Sequence, residues 1–85
     1  MEETHEFRKI RWQCRRGMLE LELFLVRFFD ECYLGLEQSD REDFQKLLQQ
    51  PDAILYHWLL GYEKPEDPSF EKILQKLRAT TSWKA

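Results

Sequence analysis

Few side chains in this sequence could do chemistry unaided. Cys14, Cys32, His5 and His57 are its only soft metal ligands, and no two of them have zinc-site spacing. His57 falls off the apolar face of its segment and reads as a solvated surface histidine. Both cysteines lie among apolar residues at helical spacing, where a free thiol behaves as a small hydrophobe. A Cys–His nucleophilic pair is left open in three dimensions, with nothing in the spacing to favour it. The three scattered glycines cannot build a phosphate-cradling loop or a dinucleotide fingerprint. Asp30 and Glu31 are chain neighbours whose side chains diverge on a helix, and Glu66 and Asp67 suit a helix start. The expectation is a protein that is not an enzyme and holds no metal or cofactor of its own.

Binding chemistry is concentrated at one place. Arg8, Lys9, Arg11, Arg15 and Arg16 crowd a stretch that contains no acid. On a helical wheel Trp12 falls away from the Phe7/Ile10/Cys14 stripe, on the side of Arg8, Arg15 and Arg16. Trp and Arg are the side chains enriched at binding hot spots, so an indole among guanidinium groups points to a partner site. Gly17 follows, then Met18, and Glu20 comes one turn later. A helix junction at Gly17 would set Arg16 and Glu20 near each other at an exposed corner, with both charge signs and room for another backbone. The alternative is plain punctuation. Arg15 and Arg16 would then close one helix, Gly17 would be its left-handed cap, and Glu20 and Glu22 would open the next, at about 0.3–1 kcal/mol per charge. The residues weigh these two about evenly, and the off-stripe Trp12 favours the partner site.

Helical period positions this corner. A first helix is predicted over about 6–16 from Phe7, Ile10 and Cys14, and a second over about 18–36 from Leu21, Leu25, Phe28, Phe29, Cys32 and Leu36. The second is the longest and most apolar, which puts it at the centre. Ser39 to Glu42 has the form of a capping box opening a third helix with Phe44, Leu47 and Leu48 inward. After Pro51-Asp52 a short fourth helix carries Ile54, Leu55, Trp58 and Leu59 and ends at Gly61. Asp67-Pro68 caps a fifth with Phe70, Ile73, Leu74 and Leu77 inward. The expected fold is all-α, a compact five-helix bundle in a single domain over 1–85, with a core over about 6–79 and a frayed tail over 80–85 that includes Trp83.

Composition agrees and narrows the classes. With 85 residues, 42% of them hydrophobic, and few Gly or Pro, the chain has the material for one small helical core. Its 13 basic and 16 acidic residues give a net charge of -3, which disfavours a nucleic-acid partner despite the local basic run. Two cysteines are too few for a disulfide framework, so a reducing, cytoplasmic setting is expected. The acidic N-terminal stretch lacks a signal-peptide core, and the apolar run over 19–36 is broken by Glu20, Glu22, Arg27, Asp30 and Glu31, so no membrane insertion is expected.

The run from Ile10 to Glu22, Ile-Arg-Trp-Gln-Cys-Arg-Arg-Gly-Met-Leu-Glu-Leu-Glu, closely resembles the signature of the FAD assembly factor SdhE family, called succinate dehydrogenase assembly factor 2 in mitochondria. Arg16, Gly17 and Glu20 meet its Arg-Gly-x-x-Glu motif. Phe28-Phe29, Leu47-Leu48, Trp58 and Lys64-Pro65 also fall where the family has similar features, so the resemblance spans about 7–77. Glu22 stands where relatives often carry Asp. The resemblance implies a five-helix factor that binds the flavoprotein subunit of succinate dehydrogenase or fumarate reductase and promotes covalent attachment of FAD to a histidine of that client; the factor itself is expected to be a monomer. The FAD belongs to the client. By position, Arg16, Gly17 and Glu20 would be the functional core, with Trp12, Arg15 and Met18 as contacts, while Arg8 and Arg11 extend the basic face. Members of the family have also been described as antitoxins, which makes an antitoxin-type or regulatory binding module the alternative.

Overall fold

The computed structural model describes residues 5–80. Within them the order is α1 (His5–Gln13), α2 (Leu19–Cys32), a 3₁₀ turn (Tyr33–Gly35), α3 (Gln38–Leu47), α4 (Asp52–Leu60) and α5 (Pro68–Thr80). All five expected helices are present, and no strand occurs among the described residues. The frayed tail and Trp83 lie outside that range except for Thr80, where α5 ends.

α2 is central, as its apolar stripe requires. Leu21, Phe24, Leu25, Phe28 and Phe29 are all buried, and the helix packs against both α4 and α5. α5 in turn packs on α3 through Ile73, Leu74 and Leu77, each fully buried. An aromatic cluster fixes the end of the bundle: the Phe7 and Phe29 rings lie 4.7 Å apart, as do Phe29 and Tyr33, and Phe28 meets Phe44 at 5.4 Å. Each such side chain contributes roughly 1.5–3 kcal/mol through burial, which is how so short a chain sustains a core.

Several boundaries differ from the sequence expectation, for local reasons. α1 stops at Gln13 rather than Arg16 because the next residues are drawn into side-chain contacts described below. α2 ends at Cys32, and the chain tightens into a 3₁₀ turn before Leu36 goes extended. The capping box does not form. α3 starts earlier, at Gln38, after Glu37, and Ser39 is already inside the helix. That start turns Asp40 inward, where its 3%-exposed side chain lies 3.8 and 3.6 Å from Lys72 and Lys76 of α5. Ile54 is more exposed than its stripe suggested.

Two termini follow the sequence closely. Gly61 closes α4 at φ 84°, the only left-handed backbone among the described residues, and glycine alone takes that conformation without cost. Asp67 accepts from the Ser69 N–H at 3.0 Å and the Ser69 hydroxyl at 2.8 Å, and these bonds hold its carboxyl below the usual range. Arg78 reaches back from α5 to the end of α4, donating to the Leu59 and Trp58 carbonyls at 3.2 and 2.6 Å.

Candidate functional site

The junction between α1 and α2 is an ordered corner braced from inside. Its five residues, 14–18, are neither helix nor free loop. Cys14 is fully buried, and burial pushes its thiol up to about 12 from 9.0. Arg16 N–H donates to Glu22 Oε1 at 2.9 Å, so an acid in the first turn of α2 pins the chain ahead of it.

The Arg16 guanidinium points into the protein. Its Nε donates to Asp52 Oδ1 at 2.9 Å, Nη1 to the Gln13 and Leu48 carbonyls at 2.8 and 3.0 Å, and Nη2 to the Gln50 carbonyl at 2.8 Å. Only 11% of this side chain is exposed. The carbonyls are those that the ends of α1 and α3 leave without helical partners. One planar cation therefore closes two helices and ties both to the start of α4, a task suited to the fixed fork of arginine. The expected exposed Arg16–Glu20 pair is not made, since the cation is satisfied internally.

Gly17 is exposed, and its N–H donates to Asp52 Oδ2 at 3.2 Å. It is not the left-handed cap that the sequence suggested, because α1 has already ended and its φ is not positive. A Cβ there would meet Asp52 Oδ2 at 3.8 Å, an ordinary contact. Nothing inside the described protein demands glycine.

Glu20 faces outward, and its Oε1 accepts the Tyr56 hydroxyl at 2.7 Å. That bond is the main reason the Tyr56 phenol is raised above its ordinary value. Arg16–Asp52 and Glu20–Tyr56 are both separated by 36 residues, so the four-residue spacing of the motif is matched by one turn of α4.

The other expected contact residues divide. Trp12 is 68% exposed, with the Arg15 guanidinium stacked 5.1 Å from its ring centre. Met18 is half-buried against the core. Arg11 pairs bidentately with Asp30 of α2 at 2.8 and 2.9 Å, so it braces α1 on α2 as well as adding charge to the surface. Arg8 is exposed on α1. Beyond the corner, Leu19 and Leu23 are 67% and 61% exposed on α2. An open groove of about 590 Å³ runs between α2 and α4 from Glu20 and Tyr56 to Asp30 and Glu31.

Glu22 was expected only as an acid opening the second helix, while Asp52, Tyr56 and Leu23 were not expected at the site. Their only signal is the four-residue spacing of Asp52 and Tyr56, which matches that of Arg16 and Glu20, and such a match between distant segments is invisible until they are brought together. Among the described residues no group of three or more His, Cys, Asp or Glu side chains is placed to hold a metal, and no helix is long and apolar enough to cross a membrane.

The chain is thus a small helical protein with one corner, at the α1–α2 junction, braced from inside by Arg16, Glu22 and Asp52. The family model described as flavinator of succinate dehydrogenase matches residues 8–81. The chain is 48% identical over 82 residues to the FAD assembly factor SdhE of Coxiella burnetii, covering 96% of this chain and 100% of that one. It is 38% identical over 76 residues to the FAD assembly factor SdhE of Vibrio vulnificus, covering 89% and 88% of the two chains. A solution structure of a UPF0350 protein superposes with a TM-score of 0.77 at 36% identity, covering 99% of this chain and 89% of that one. The chain belongs to the FAD assembly factor SdhE family.

Proposed function

We propose that this protein is a non-catalytic assembly factor that binds the flavoprotein subunit of succinate dehydrogenase or fumarate reductase and promotes its covalent flavinylation. The client face is formed by Trp12, Arg15, Gly17, Met18 and Glu20, with Arg8 and Arg11 at its basic edge. Arg16 acts from within, shaping the corner rather than touching the client. The observation that carries this reading is Gly17, whose missing side chain no internal contact requires, set between an exposed Trp12–Arg15 stack and an outward carboxylate that Tyr56 already holds.

On this reading FAD belongs to the client, and the side chains of the groove support that. A dinucleotide carries a diphosphate, and the groove offers it a single cation, Arg27, already beside Glu31, together with the unpaired carboxylate of Glu20. Cys14 is no nucleophile at neutral pH, being buried and protonated. The contribution of the factor is orientation of the client, the part of rate enhancement that comes from holding reacting groups in place. The test is to express the client with Trp12→Ala or Glu20→Ala variants and read covalent flavin by in-gel fluorescence. Helical circular dichroism should stay unchanged while flavinylation falls. Full flavinylation with both variants together would overturn the proposal.

A further inference from the structure

The groove between α2 and α4 begins at the Glu20–Tyr56 bond and continues past the corner. Leu23 and Phe24 of α2 form one wall, and Leu59 and Leu60 of α4 the other. From Glu20 to Glu31 it runs about 16 Å along α2, at 1.5 Å per residue, enough for roughly three turns of a helix.

Its charges differ in how they are satisfied. Asp30 is neutralised by Arg11 at 2.8 Å, and Glu31 has Arg27 at 3.8 Å. Glu20 has only the neutral Tyr56 hydroxyl, and no cation pairs with it among the described residues. Leu23, beside it, is 61% exposed. An oriented, uncompensated carboxylate at the head of an apolar trough is complementary to an apolar segment that carries one basic side chain.

We propose that the groove receives such a segment of the client flavoprotein: apolar side chains cover Leu23, Phe24 and Leu60, and a lysine or arginine at one end pairs with Glu20. This rests on the client reading above and extends the contact surface from the corner to the far end of α2. Tyr56 serves as a positioning residue, since its hydroxyl fixes the carboxylate that receives the cation.

The experiment titrates the purified client flavoprotein subunit against the full chain and its variants by calorimetry, at low and high salt. Leu23→Glu sits on an exposed position, so the fold is retained, and affinity should fall about tenfold or more. Leu23→Met, which keeps an apolar side chain there, should retain most of the affinity that Leu23→Glu loses. Glu20→Gln should weaken binding and flatten its salt dependence, whereas Leu23→Glu should leave that dependence in place. Tyr56→Phe, which keeps the ring and loses the hydroxyl, should weaken binding less than Glu20→Gln and only while Glu20 is present. Parent-like affinity for Leu23→Glu, with Trp12→Ala defective, would overturn the groove while leaving the client reading intact. Loss of a concentration-dependent dimer by Leu23→Glu in sedimentation, without change in client affinity, would also overturn it in favour of self-association. No binding by the parent chain at all would instead remove the client reading.

Discussion

Replacing Arg16 with alanine should destabilise the whole fold rather than blunt a surface. The guanidinium makes four hydrogen bonds, one to the Asp52 carboxylate and three to backbone carbonyls of Gln13, Leu48 and Gln50. Bonds to a charged group are worth about 1.5–3 kcal/mol each, though they do not add fully. Removing one partner of a largely buried pair costs about 3–5 kcal/mol, and the side chains here are only 11% and 32% exposed. An overall loss of about 3–5 kcal/mol is therefore expected, against a total of about 5–15 for a domain. At about 4–8 °C per kcal/mol, the midpoint should drop by tens of degrees. Arg16→Lys keeps the charge but not the fork, and should recover only part of the loss. The assay is thermal and urea unfolding followed by circular dichroism, with Trp12→Ala as an exposed control expected to stay within about 0.5 kcal/mol of the parent. An Arg16→Ala protein melting within about 5 °C of the parent would show that the guanidinium does not hold the corner together. Loss of client activity in that variant would then have to come from a direct contact.

Gly17→Ala should leave the melting temperature nearly unchanged, because its φ is not positive and the added Cβ would make only an ordinary contact at 3.8 Å; client affinity should fall, and a destabilised variant would show that the glycine serves the fold. Arg78→Ala should cost about 1.5–3 kcal/mol by freeing the Leu59 and Trp58 carbonyls at the end of α4, measurable by urea unfolding. With the Cys14 thiol raised to about 12 from 9.0, the folded state keeps a proton that the unfolded chain loses first. Its contribution is complete below about pH 9 and is lost as pH climbs toward 12. Stability should decline over that window, and less steeply in Cys14→Ala. At about pH 8 a thiol reagent should label half-buried Cys32 in the native protein and Cys14 only after denaturation.

The helices were legible because each carries its own periodicity. Phe70, Ile73, Leu74 and Leu77 trace α5 without reference to any other segment, and Gly61 and Asp67-Pro68 mark ends through local chemistry alone. The site was legible only by side-chain type. Trp12, lying off its stripe, is indeed exposed. Arg16 looked like its basic neighbours, yet it turns inward because its partners, Asp52 and the carbonyls near it, lie more than thirty residues away. The capping box failed for a similar reason: the contact of Asp40 with Lys72 and Lys76 belongs to the packing of α3 on α5, and local spacing around Ser39 carries no trace of it.

The matched turns of the corner and α4 make the presented surface conditional on distant sequence. A nascent chain that has emerged only through α2 carries Arg16, Gly17 and Glu20 but neither Asp52 nor Tyr56, so it has the letters of the binding face without its shape. Because those two residues sit on one turn of one helix, sliding α4 by a turn would release both anchors together. The shape of the corner therefore depends on α4 as a unit, and under the proposed function client recognition there requires the fourth helix in place.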